Sequence, residues 1–296
     1  MLFDNTFDNT NAFGYYRPHI IVKMIISLAQ KSPRNWFGQQ IAQVCRKLVL
    51  RFSRLPIDIS VGKIKMRCYL KNNNSEKRFV FMPWRFEGVE RKLLMQVLPV
   101  DGTFVDIGAN VGIWSLDVAT HLNPLGRIIA LEPNPTAFER LSCNFRATCA
   151  VHAEWPRVDL LQIGVNSLEG ETDLHLDPEN LGGSSLYKRK ATAQEGRAIP
   201  IMCKPLLLIL NELSVSTIEA LKIDIEGAED LALVPFLEAA PSMLLPQYIF
   251  MENSQRLWRL DLVGKLCNRG YKFHSHTKGN LIYQLAETRA STINAK

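Results

Sequence analysis

The sequence predicts an α/β fold: a parallel sheet with helices on both faces, closed at one edge by a C-terminal antiparallel hairpin and preceded by a helical N-terminal extension. Three observations predict it. Short apolar runs at 103–107, 127–131, 158–164, 220–225 and 247–251 alternate with stretches of helical spacing, as in βα units whose strands are buried on both sides. The first run leads into a glycine-rich turn, Asp106-Ile107-Gly108-Ala109-Asn110-Val111-Gly112, and the second ends in an acid, Glu132. After the last strand of the series the chain continues with two alternating runs, Tyr271 to His276 and Leu281 to Leu285, around Lys278-Gly279-Asn280, which reads as a hairpin.

With 296 residues the chain can bury one large core plus a small appendage. We divide it into a basic helical extension (1–56), a hairpin and helix leading into the core (57–98), the main domain (99–288) and a tail (289–296). Ile20 to Phe52 is expected to be helical with a break near Ser32-Pro33. Ile57 to Leu70 alternates, then gives way to Asn72-Asn73-Asn74-Ser75 and a second apolar stretch, Phe79 to Met82, which suggests a hairpin with the Asn run as its turn. Val89, Leu93, Leu94 and Val97 give Gly88 to Leu98 helical spacing. Further helices are expected at 114–121, 136–147, 228–233 and 257–269. A long insertion, 166–219, separates the third and fourth strands, and segments of that size are often functional.

Charge is uneven. Residues 1–57 hold eight Lys or Arg and two Asp, the whole of the formal net charge of +6. The neutral remainder offers no broad basic footprint, which argues against nucleic acid as a partner. Within 20–52, Trp36, Phe37, Ile41, Val44, Leu48 and Leu50 lie among Lys31, Arg34, Arg46, Lys47 and Arg51. Such a segment either lies on an anionic membrane or meets an acidic partner, or else packs as a cap with its basic face in solvent. The run His19 to Ala29 contains Lys23 and falls short of the roughly 20 residues needed to span a bilayer. The start of the sequence lacks the basic region and apolar core of a signal peptide, and the six cysteines show neither Cys-x-x-Cys nor zinc spacing. A cytoplasmic protein is expected, with peripheral membrane contact left open.

The glycine turn carries the chemistry. Gly108 and Gly112 let the backbone turn sharply and a ligand approach closely. A nucleoside cofactor then finds an acid for its ribose at Glu132. The spacing Gly-x-x-x-Gly, with Asp106 two residues earlier and Asn110 inside, departs from the Gly-x-Gly-x-x-Gly that receives a pyrophosphate. S-adenosylmethionine has no phosphate and carries a cationic amino-acid portion, so a carboxylate near the turn suits it better than a dinucleotide.

These motifs resemble the FkbM family of S-adenosylmethionine-dependent methyltransferases. The similarity runs from about Phe86 to Tyr283 and rests on Val105 to Gly112, Leu131-Glu132-Pro133-Asn134-Pro135, Asn180-Leu181-Gly182-Gly183-Ser184-Ser185-Leu186, and Leu221-Lys222-Ile223-Asp224-Ile225-Glu226-Gly227-Ala228-Glu229. The first two are general to methyltransferases, whereas the last two are more specific. The resemblance implies a Rossmann-like class I methyltransferase sheet and methyl transfer, usually to a hydroxyl oxygen of a sugar or secondary metabolite. It implies that Gly108, Asn110 and Gly112 cradle the methionine part of the cofactor, that Asp106 is oriented toward its ammonium, and that Glu132 takes both ribose hydroxyls. Gln162 to Val165 would lie beside the adenine, with Gln162 the candidate. One departure is Cys203-Lys204-Pro205, where relatives often carry Thr-Leu-Asp.

Lys222, Asp224 and Glu226 alternate, so they share one strand direction, and the two carboxylates fall at the carboxyl end of the fourth strand, where ligands of open α/β sheets collect. Asp224 is expected near the transferred methyl and Glu226 at the acceptor or its proton. A hydroxyl becomes a good nucleophile only when a base or a metal takes its proton. Asp224, Glu252 and Asn253 resemble a magnesium set in position, but the family does not generally imply a metal and none is favoured. Ser184, Ser185, Glu252 and His274 are candidate contacts to a small-molecule or carbohydrate acceptor; His276 shares the face of His274, and solvent-exposed hairpin histidines are the plainer reading. A nicotinamide-dependent oxidoreductase and a binding or scaffold protein that keeps the fold without turnover remain alternatives.

Overall fold

The computed structural model describes residues 8, 10–177, 179–187 and 197–286. Helices α1 (Ile20–Gln30) and α2 (Trp36–Phe52) form the expected broken pair. At the break the Ser32 hydroxyl donates to the carbonyls of Ala29 and Gly38 (2.7 and 3.1 Å), joining the end of one helix to the start of the next. Asn35 caps α2 by accepting from the Gly38 N–H. No described helix is long and apolar enough to cross a membrane.

The hairpin that follows differs from expectation. Strands β1 (Ile57–Val61) and β2 (Ile64–Cys68) pair with each other about Gly62, so the first alternating run folds back on itself. The segment expected as the second strand is a helix, α3 (Asn74–Phe81). The Asn run does not turn a hairpin: the Asn73 side chain accepts from the Glu76 N–H at 3.0 Å and so caps α3. A further helix, α4 (Gly88–Val97), leads into the sheet.

The sheet then builds through β3 (Thr103–Ile107), α5 (Ile113–Ala119), β4 (Arg127–Leu131), α6 (Pro135–Cys149) and β5 (Arg157–Leu161). The region 166–219 belongs largely to a small second sheet of β6 (Gly164–Val165), β7 (Gly170–His175) and β8 (Ala198–Lys204), in the order β6-β8-β7, followed by α7 (Leu206–Glu212). The main sheet resumes with β9 (Ala220–Ile223), α8 (Glu229–Ala239), β10 (Tyr248–Glu252), α9 (Leu262–Asn268), β11 (Tyr271–His276) and β12 (Asn280–Leu285). Helix α8 continues past Pro235 because Val234, Phe236 and Leu237 are buried there.

The seven strands lie in the order β11-β12-β10-β9-β3-β4-β5. β12 is antiparallel to both β10 and β11, while the pairs β10/β9, β9/β3, β3/β4 and β4/β5 are parallel. Two cores cover the two faces. Phe104, Ile128, Ala130, Ala220 and Phe250 pack with α5, α6 and the N-terminal elements, whereas Val105, Ile107, Ile129, Leu131, Leu221 and Ile223 pack with α7, α8 and α9. Burial on both sides explains why these strands read as continuous apolar runs.

Candidate active site

A cavity of about 350 Å³ opens at the carboxyl ends of β3, β4, β9 and β10. Its geometry begins at Gly108. The N–H groups of Gly108 and Ala109 both donate to the Leu131 carbonyl (2.9 and 3.0 Å), pulling the turn after β3 onto the end of β4. Gly108 has φ +78°, and a Cβ there would lie 2.1 Å from the Asp224 carbonyl oxygen, so no side chain fits. Gly112 acts differently. It does not line the cavity but starts α5 at φ +90°, where a Cβ would meet Leu141 at 2.5 Å. Its expected place in the cofactor cradle is therefore corrected to a packing role.

Glu132 faces the cavity from the end of β4. One carboxylate oxygen accepts from the Asn110 N–H (2.7 Å) and the other from the Asn134 N–H (2.9 Å), which fixes the side chain and leaves each oxygen a lone pair. Burial pushes its carboxyl up to about 7, against the backbone N–H groups that hold it down. Asn110, at φ +52°, accepts through its side-chain oxygen from Asn73 Nδ2 (2.9 Å), and Gly182 packs against its amide.

Asp106 requires a correction. Its side chain is fully buried and lies outside the cavity lining, with one oxygen 2.5 Å from Ser115 Oγ and the other 3.5 Å from Lys222 Nζ. The register explains this. Asp106 and Lys222 are direct partners on β3 and β9, and period two puts Asp106 on the face of Phe104, under α5. Lys222 also donates to the Gly108 carbonyl (3.2 Å) and pairs with Asp224 at 3.5 Å. Burial alone would lower its ammonium pKa, but Asp106, Asp224 and Glu87 outweigh that and raise it.

β9 ends at Ile223, so Asp224 and Glu226 leave the strand; both still line the cavity. Glu226 sits at φ +58° and Gly227 at φ +109°. The local backbone bonds go to Glu229, which accepts from the N–H groups of Ile225 and Gly227. Oxygens of Asp224, Glu226 and Glu252 lie within 4.8 Å of one another. Burial, then Asp224 and Glu226, push the Glu252 carboxyl up to about 8, with Ser254 Oγ donating to it at 2.9 Å. Three such oxygens suit a hard divalent cation. Asn253, expected in that set, is exposed and bonds through its N–H to Gly279, so Glu226 replaces it as the third donor.

Other expected contacts divide. Ser184 and Ser185 line the cavity, but their hydroxyls donate to the carbonyls of Leu181 and Glu226, each at 3.0 Å. The segment around them is not a free loop: the Leu181 N–H donates to the Asn72 carbonyl, and Asn180 accepts from the Asn74 N–H. Gln162 is exposed and outside the cavity, while Ile163, Gly164 and Val165 line it. His274 and His276 are exposed on the edge strand β11, away from the cavity. Sequence reasoning missed Glu87, Trp114, Arg78 and Asn280, which also line it. Trp114 Nε1 donates to Glu87, and burial raises the Glu87 carboxyl, with Asp224 adding to the effect. The packing of α3, α4 and the β11/β12 turn onto the sheet brings Arg78, Glu87 and Asn280 to the site, while Trp114 reaches it from the first turn of α5.

A family model described as the Methyltransferase FkbM domain matches residues 106–273, more than half of the chain. The chain belongs to the FkbM methyltransferase family. No curated protein gives a match to the sequence. Among solved structures, this FkbM chain is similar to a putative rRNA-methylase from Clostridium thermocellum, at 8% identity and TM-score 0.42 over 68% of this chain and 95% of that one. It is also similar to a SAM-dependent methyltransferase from Agrobacterium tumefaciens (10% identity, TM-score 0.41, 80% and 72%). A third is an O-methyltransferase from Bacillus cereus in complex with SAH (12% identity, TM-score 0.38, 67% and 81%). At Cys203-Lys204-Pro205, Lys204 turns to the acids Glu212 and Glu169 (2.6 and 3.6 Å), and Cys203 is buried.

Proposed function

We propose that this methyltransferase moves a methyl group from S-adenosylmethionine to a hydroxyl oxygen of a small-molecule or carbohydrate acceptor. The observation that carries the reading is one cavity with two ends. A backbone-fixed carboxylate, Glu132, stands beside the Gly108 turn, and a carboxylate cluster, Asp224, Glu226 and Glu252, stands beyond it. The residues fit the cofactor: Gly108 lets the turn fold tightly against Asp224 and line the cavity, and Glu132 keeps one lone pair on each oxygen for a ribose diol, a charge-assisted pair of bonds. Asn110 and the apolar wall of Ile163 and Val165 complete that end.

When bound, the cofactor supplies a sulfonium-activated methyl group. The chain's own part is to orient the acceptor and remove its proton. Burial, then Asp224 and Glu226, raise the Glu252 carboxyl to about 8, which suits a general base near neutral pH. Asp224 pairs with Lys222 beside it, and Glu226 contacts the acceptor. The three oxygens would also serve to hold a divalent cation in place of a protein base. Unpaired cysteines suit a reducing compartment and, with it, a cytoplasmic enzyme.

Calorimetric titration with S-adenosylhomocysteine, with NAD in parallel and with and without Mg²⁺, tests the reading. We expect the homocysteine compound alone to bind, and methyl transfer to hydroxyl acceptors to follow. Binding of NAD instead would return the site to the oxidoreductase reading. Cofactor binding with no transfer to any hydroxyl compound would leave a binding protein.

A further inference from the structure

Helices α1 and α2 each carry two apolar faces. The inner faces, with Ile26 and Ala29 on α1 and Ala42, Cys45 and Val49 on α2, belong to the core. The outer faces are in solvent. On α1 they hold Ile20, Ile21, Met24 and Leu28, which are 58–65% exposed. On α2, Phe37, Ile41, Val44, Leu48 and Phe52 recur at steps of four, three, four and four, a single stripe, with Trp36 at the first turn. A soluble helix packed as a cap turns a polar face outward; these two do not.

The charge around the stripes has one sign. Between Thr10 and Ile57 the chain has eight Lys or Arg and no Asp or Glu, and among the described residues none of these cations forms an ion pair. Lys47 and Arg51 each lie one turn from stripe residues, and Lys31 and Arg34 lie in the connection between the helices. An apolar stripe flanked by basic residues, with aromatic rings at both ends, is the pattern of a helix lying in a bilayer interface.

We propose that the α1–α2 pair docks on the anionic surface of a lipid bilayer, with the apolar stripes among the headgroups and the Lys and Arg side chains on the lipid phosphates. A second copy of the chain is the poorer occupant, because pairing this face with itself opposes two sets of cations with no acid to meet them. The docked face lies one helix from the cavity. α3 packs against both α1 and α2, with Gln30 donating to the Val80 carbonyl at 2.9 Å, and its Asn74, Ser75 and Arg78 line the cavity. An acceptor presented at the membrane would therefore meet the site close to the surface that carries it.

Co-sedimentation of the full chain with phosphatidylcholine vesicles, with and without phosphatidylserine, tests this. Binding should require phosphatidylserine and weaken with added salt. Lys47→Gln and Arg51→Gln should each weaken it about fivefold. Ile41→Asp combined with Val44→Asp should weaken it by about tenfold or more, since two apolar side chains can then no longer be buried. All four positions are exposed or on the outer stripe, so the thermal midpoint serves as the control that these variants remain folded. Equal binding to both vesicle types, or variants that bind like the parent, would overturn the proposal. So would absence of vesicle binding together with self-association lost in the stripe variant, or with capture of an acidic protein alone.

Discussion

At the scale of single residues, Lys222 is the side chain on which most of the site depends. It joins Asp106, Asp224 and the Gly108 carbonyl. Lys222→Met removes the cation and leaves the Asp106 carboxylate buried with only Ser115 donating, a change that typically costs about 3–5 kcal/mol. Adding Asp106→Asn removes the orphaned charge, so the double variant should recover more than half of the loss in urea unfolding. Additive losses would show that the two residues are not coupled. The acid at 106 was legible as special in the sequence, and its destination was not. A carboxylate two residues before a glycine turn reads as a ligand group when the strand is viewed alone; only the parallel register that sets Lys222 opposite it shows that the charge is already neutralised by the protein. Glu132 was legible for the converse reason: it lies just past its strand, where alternation no longer constrains it and the backbone N–H groups of its own turn hold it.

Among the elements, α3 is where the sequence was misread. Asn and Ser favour turns and helix N-caps by the same device, a side chain that bonds nearby backbone, so Asn72 to Ser75 fits either, and four apolar residues after it do not decide between strand and helix. The structure uses Asn73 twice, as cap for α3 and as donor to Asn110 in the glycine turn. The two uses can be separated. Asn73→Ala should cost about 1–2 kcal/mol in unfolding free energy and weaken S-adenosylhomocysteine binding. Asn73→Ser should return most of the cap, but the shorter side chain does not restore the bond to Asn110, so affinity stays low. Recovery of stability and affinity together would mean that the bond to Asn110 contributes nothing to the site. The insertion of 166–219 stood out in the sequence by its length, and Leu174, Asn180 and Ser184 of it line the cavity; that it forms a sheet of its own depends on β8 pairing with both β6 and β7, which its spacing does not reveal.

For the whole molecule, fold class was legible because strands buried on both faces leave long apolar runs and the closing hairpin has its own turn chemistry, whereas the docking of α3 and α4 over the sheet is a tertiary matter that no local pattern encodes. That docking buries acids. Glu76 on the buried face of α3 and Glu132 at the cofactor end are raised to about 7, and Glu252 at the acceptor end to about 8, with burial the first cause for each. A carboxyl whose folded pKa lies above its unfolded value binds more protons in the native state, so its contribution is present below the unfolded pKa and is lost as pH rises through the folded one. For Glu132 the full contribution is at most about 3 kcal/mol. The ligand-free protein should therefore be most stable on the acid side of neutrality and lose stability as pH climbs through about 7 and then about 8, following these three groups. Glu252→Gln should make the decline shallower from about pH 4.5 upward and end it near 7 instead of 8, because an amide does not titrate. Thermal midpoints across this range check both statements. A midpoint that stays level or rises through it would mean that the three acids reach solvent in the native state, and the basicity assigned to Glu252 at the acceptor would fall with it.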